Sequence, residues 1–181
     1  TGMTLEAWVY PTVAPNNWTT VITKERPGDL VYGLFARSPS SAPPFNNGPL
    51  VDVFTGSLSE VYGPSPVPLN SWTHLAGTYD AVNGQYLYVN GVEVAHASPS
   101  PSGSMITSIG PLRMGGNLPF AEYFTGRIDE VRVYNRALSQ PEIQTDMGTP
   151  IATPTPTPTP TPTATATATP TTTATATATA T

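Results

Sequence analysis

The stretch YLYVNGVEVA, residues 86–95, decides the fold class. Asn90-Gly91 supplies the two positive-φ residues of a type I′ turn, whose twist matches that of the strands it joins. A two-residue loop pairs Val89 with Val92 and Leu87 with Val94, so these four form one apolar stripe, while Tyr86, Tyr88, Glu93 and Ala95 take the opposite face. A strand over 72–79 leads into this hairpin through Asp80-Ala-Val-Asn-Gly84, which makes a three-stranded meander.

The same pattern extends in both directions. Residues 4–10 (TLEAWVY) alternate, with Leu5, Ala7 and Val9 on one face and Glu6, Trp8 and Tyr10 on the other, and Pro11 ends the run. Residues 20–25, 31–37 and 50–55 are further strand candidates, and 38–49 (SPSSAPPFNNGP) is a long loop. Residues 124–134 (FTGRIDEVRVY) are strand-like, but Ile128 lies on even parity and Val131 and Val133 on odd. A β-bulge at Asp129 or Glu130 reconciles them. Ser139-Gln-Pro-Glu142 is a capping box that opens one short helix running to about Met147, with Gly148 as its stop. The chain therefore predicts an antiparallel all-β domain with one short C-terminal helix capping the sheets.

Residues 149–181 hold only 17 Thr, 8 Ala, 7 Pro and one Ile. With no charge, no aromatic ring and no apolar periodicity, this segment cannot bury enough surface to offset its ordering entropy, and a disordered Thr/Pro/Ala tail or linker is expected after a single domain at 1–148. As extended polyproline II, at about 3.1 Å per residue, it would span roughly 100 Å. Such segments resemble linkers between modules of secreted or cell-surface bacterial proteins, which makes other modules of the same parent chain expected partners.

Charge excludes several function classes. Lys and Arg total 7 against 12 Asp and Glu, a net of −5, and Lys24 is the single lysine, so no basic face exists for nucleic acid or anionic lipid. No apolar run approaches the length of a membrane span. The absence of Cys removes disulfides and thiolate zinc sites.

Four blocks carry a family resemblance: LEAWV (5–9), WTHLAGTYD (72–80), LYVNGVEV (87–94) and, most specifically, FTGRIDEVRVYNRAL (124–138). Their order resembles that of LamG-like jelly-roll domains of the concanavalin A-like lectin/glucanase superfamily, over residues 1 to about 144. The resemblance implies two antiparallel sheets stacked as a jelly-roll sandwich. Relatives usually open with an additional strand and turn before LEAWV, so an N-terminally truncated domain with an open edge beside residues 4–10 is expected. Relatives often hold calcium at the sheet rim, and Asp129 matches a ligand position in their VDxVRVY strand. This makes Ca2+ the expected cofactor, with pairing of Asp129 to Arg127 or Arg132, or a turn cap, as the alternative.

Hydrolases of the superfamily place Glu-x-Asp-x-x-Glu along one strand. That motif is missing here: Glu6 is alone on its strand, Asp52 and Glu60 are eight apart across a Gly, and Asp129-Glu130 are adjacent. Neither His74, expected to be packed and hydrogen-bonded, nor His96, expected at the surface, has a nucleophile or metal-ligand partner at suitable spacing. The expectation is thus a non-catalytic module that binds a glycan, with a structural or adhesive protein-interaction spacer as alternative and a glycoside hydrolase third. Aromatic faces stack on sugars, and the loop-placed candidates are Trp18 beside Asn16-Asn17, Tyr62 in Glu60-Val-Tyr-Gly63, and Phe120 to Tyr123 after Asn117, with Tyr123 foremost there; Trp8 and Trp72 are expected within strands as structural residues.

Overall fold

The computed structural model describes residues 2–98 and 100–151. The Thr/Pro/Ala segment from 152 onward, with the expectation of disorder attached to it, lies outside them. Ten strands form two antiparallel five-stranded sheets. The first has the order β10 (Gly126–Tyr134), β1 (Gly2–Pro11), β6 (Thr73–Asp80), β7 (Gly84–Val89), β8 (Val92–His96). The second runs β5 (Leu58–Tyr62), β4 (Leu50–Phe54), β3 (Asp29–Arg37), β2 (Thr19–Arg26), β9 (Leu112–Met114). The jelly-roll sandwich expected from the sequence is what the chain forms.

Alternation sorts each strand between core and outer face. Leu5, Ala7 and Val9 of β1 point between the sheets with Leu75, Tyr79 and Leu87, and meet Ile22, Leu34, Val51 and Val53 of the second sheet. Burial of this kind stabilises by about 25 cal/mol per Å² of apolar surface, so the inter-sheet stripe dominates the fold's stability. The sheets approach closely at Gly77, where any Cβ would stand 2.6 Å from the Val51 side chain. Beside it, fully buried Gln85 spans the layers, donating from Nε2 to the Val51 carbonyl at 2.8 Å.

The outer face of the first sheet is covered by helix α1 (Gln140–Met147). Ile143 and the preceding Leu138 pack on Ala76 and Tyr88. The Thr4 hydroxyl donates to the Arg136 carbonyl and accepts the Leu138 N–H, each at 2.8 Å. Glu142 reaches back to the Ser139 N–H and hydroxyl, both at 2.7 Å, as the capping box predicts. Arg132 donates to carbonyls of Asp146 and Thr149 at the helix C-terminus, where cations are favoured.

The hairpin turn forms with Asn90 at φ 50° and Gly91 at φ 72°, and Val89 faces Val92 as expected. The register then departs from expectation: Leu87 faces Ala95, not Val94, because a bulge inserts an extra residue into β8. The bulge foreseen in β10 is present, with Glu6 facing Arg132 but Trp8 facing Asp129, and with Glu130 at φ 51°. That bulge lets β10 run the length of β1, so the edge expected to be open beside residues 4–10 is covered. Trp72 lies just before β6 and is 40% exposed, its ring tilted against that of Tyr10 at 5.5 Å, rather than within the strand. Buried His74 contacts Trp8 edge-on, and its Nε2 lies 3.7 Å from Glu6 Oε2, so the expected hydrogen bond to a neighbour is absent.

Candidate functional site

Among the described residues no helix lies over the outer face of the second sheet. Leu50 and Asp52 alternate with the core residues Val51 and Val53 and so point outward on β4. The β4–β5 turn is centred on Gly56, at φ 107°, and it sets Asp52 directly opposite Glu60. Phe35 of β3 lies beside Leu50 on the same face, with Leu30 completing a small apolar floor.

Trp18 closes one side. Its ring is 6.0 Å from each of Phe35, Phe45 and Tyr62, edge-on to both phenylalanines and tilted against the tyrosine. The segment from Gly115 to Phe124 closes another. Buried Asn117 anchors it, donating from Nδ2 to Thr20 Oγ1 at 2.8 Å and to Glu122 Oε2 at 2.7 Å while accepting the Phe120 N–H at 2.9 Å. Glu25, ion-paired with Arg113 at 2.7 Å, takes the Leu118 N–H. Asn117 thus holds Phe120 and Glu122 against the sheet through three hydrogen bonds made inside the protein.

These elements enclose a cavity of about 170 Å³ whose walls include Trp18, Phe35 and Phe120 and the carboxylates of Asp29, Asp52, Glu60 and Glu122. No basic side chain lines it. Asp29 is ion-paired with Arg26. Asp52 is buried, its Oδ1 meets no side-chain donor, and burial with the nearby charges of Glu60 and Glu122 pushes its carboxyl up to about 7 against the opposing pull of the Gly33 backbone. Burial also raises Glu122, against the Asn117 hydrogen bond. Tyr62 is raised by burial and by its carboxylate neighbours Glu60 and Asp52.

Of the residues singled out in sequence, Trp18 and Phe120 line this cavity and Tyr62 backs it. Tyr62 is the last residue of β5, not a loop residue, because Val61 beside it is drawn into the core. Tyr123 is 56% exposed and bridges to Gly116 on a separate surface, so it does not join Trp18. Asp129 is exposed at the β10 bulge, where its Oδ1 accepts the Glu130 N–H at 2.8 Å. Among the described residues no three carboxylate or imidazole groups gather closely enough to share a metal ion. His96 is exposed at the end of β8, 2.9 Å from Glu93.

Sequence reasoning missed Phe35 and Glu122, and it set Asp52 and Glu60 aside as eight residues apart across a Gly. A signal existed for two of them: Asp52 and Glu60 are equidistant from Gly56, so any tight hairpin there faces them across the ladder.

Comparison with known proteins agrees with this architecture. Domain 4 of AbnA, a GH43 extracellular arabinanase from Geobacillus stearothermophilus, in complex with arabinotriose, superposes with a TM-score of 0.62 at 21% identity, over 80% of this chain and 66% of that one. The CBM40 of the Ruminococcus gnavus IT-sialidase, bound to alpha2,3 sialyllactose, gives 0.62 at 18% identity over 81% and 83%. At these identities the likeness is one of fold. The pentraxin-related protein PTX3 of Mus musculus is 31% identical over 110 residues, 55% of this chain, so the chain spans 29% of that relative's length. A family model described as the concanavalin A-like lectin/glucanases superfamily matches residues 1–144, and the chain belongs to that family.

Proposed function

We propose that the protein is a non-catalytic carbohydrate-binding module of a secreted or cell-surface protein, tied through its Thr/Pro/Ala segment to other modules, and that the ligand seats in the cavity walled by Trp18, Phe35 and Phe120. The observation that carries this reading is the combination of aromatic rings and acidic side chains lining one open cavity on the outer face of the second sheet. Aromatic rings take the apolar side of a pyranose, and carboxylates accept its hydroxyls. At about 170 Å³ the cavity is small beside ordinary ligand sites of ~300–1,000 Å³, which suits one terminal sugar unit. Retention of one sugar class on a glycan array supports the module, and an empty array favours a structural or adhesive spacer that contacts extracellular proteins.

One observation favours catalysis. A carboxyl held near neutral opposite a second carboxylate is what glycoside hydrolysis uses. Hydrolysis needs sugar on both sides of the scissile bond, and a cavity sized for one unit argues for holding rather than cutting. Release of reducing sugar from a bound polysaccharide, abolished in E60Q, would reverse this conclusion.

Calcium is a separate proposal resting on Asp129. Its exposed carboxylate could give one of the six to eight oxygens such an ion gathers, but among the described residues no group of three ligand side chains includes it. Heat on titrating calcium that vanishes in D129N supports it. An absent heat with an unchanged melting temperature at millimolar calcium removes it.

A further inference from the structure

Every ionisable group lining the cavity is acidic, and three of the four have no cation of their own. Asp29 has Arg26, whereas Asp52, Glu60 and Glu122 form no ion pair among the described residues. Asp52 stands out because the residue is 7% exposed, faces Glu60 across the ladder, and has at its Oδ1 no side-chain donor, only the backbone of Gly33 beside it. A buried acceptor left unmade is costly, and two carboxylates opposed across a strand pair repel. Both costs fall if the ligand brings a positively charged donor.

The form of that donor follows from the walls. The carboxylates are dispersed around the cavity, and no three among the described residues could share one metal ion. A compact divalent cation therefore fits less well than an organic cation with several N–H groups that reach outward. An ammonium supplies three such donors. Trp18, Phe35 and Phe120 line the cavity, and aromatic rings attract cations and also stack on a pyranose. One chemical class satisfies both the rings and the carboxylates.

We propose that the cavity selects a sugar unit carrying a free, protonated amine, a 2-amino-2-deoxyhexose rather than its N-acetylated or hydroxylated counterpart. This rests on the reading of the cavity as a glycan site and names the ligand class within it. Acetylation removes the charge and adds bulk to a small cavity, and the carboxylates repel uronic and sialic acids.

The test presents the full 181-residue chain with amine, N-acetyl and hydroxyl forms of the gluco, galacto and manno series on one surface, at neutral pH and low ionic strength. The expected result is binding of an amine form at least about tenfold tighter than its two counterparts, the scale of one charge-assisted hydrogen bond. That preference weakens with salt and is lost in D52N/E60Q and, separately, in E122Q, with melting temperatures no lower than the parent's by more than a few degrees. Equal binding of N-acetyl or hydroxyl forms overturns the amine preference and leaves the glycan reading intact. Binding of none of the sugars overturns both. Amine binding undiminished in both variants assigns it to the overall net charge and overturns the cavity assignment.

Discussion

Asp52 and Glu60 face each other directly across β4 and β5, four residues on either side of Gly56, and both carboxylates open into the same cavity. Burial and this opposition lift Asp52 to about 7. The pairing costs the folded state free energy, which is characteristic of groups arranged for a ligand rather than for stability.

The cost has a definite pH dependence. A carboxyl raised in the folded state binds its proton more tightly there than in the unfolded chain, so stability falls as pH rises from about 4 to about 7. Asp29, Glu60 and Glu122 are the charges facing it. D52N should flatten this segment of the melting temperature–pH curve and raise the melting temperature by about 3 °C or more at pH 8, since 1 kcal/mol is worth ~2–4 °C in a domain this size. A variant that melts lower than the parent at pH 8 would contradict the assignment.

Phe120 and Tyr123 lie three residues apart but on different surfaces. Both are half-exposed, so truncating either should cost less than about 1 kcal/mol in stability. F120A is expected to weaken glycan binding about tenfold or more, whereas Y123A leaves it within twofold, as calorimetry on any retained sugar will report.

Asn117 holds the segment from Gly115 to Phe124 on the sheet through its side-chain amide. N117A leaves Glu122 without its donor and Thr20 without its partner, at about 2–3 kcal/mol. Amide hydrogen exchange should accelerate at residues 118–122 well beyond the change in β6 and β7, and sugar affinity should fall with it. Uniform acceleration across both sheets would mean that Asn117 supports the whole fold rather than this segment.

Glu6 and His74 are buried side by side at 3.7 Å with none of their polar side-chain atoms hydrogen-bonded. H74L alone strands a buried carboxyl and should destabilise by about 3 kcal/mol. The double variant E6L/H74L should recover most or all of that loss, because a buried polar pair of this kind is often no better than apolar side chains of similar volume. Strictly additive losses in a thermal double-mutant cycle would refute the coupling.

Sequence alone determined what depends on short range. Asn90-Gly91 dictates its own turn, alternation over residues 4–10 assigns Leu5, Ala7 and Val9 to the core, mismatched parity between Ile128 and Val131 requires a bulge, and Ser139 with Glu142 opens a helix. In each case the cause lies within a few residues, so the local pattern is sufficient. The candidate site was legible at Trp18, at Phe120 and, from behind, at Tyr62. Tertiary structure decided the rest, since Phe35, Asp52 and Glu60 come from one part of the chain and Glu122 from another, separated by the whole β6–β8 meander. What brings them together is the packing of two sheets and one buried asparagine, and neither leaves a periodic trace in the sequence. The carboxyl of Asp52 is likewise ordinary in the chain and unusual only in the fold, because a pKa is set by burial and by neighbours that the topology supplies.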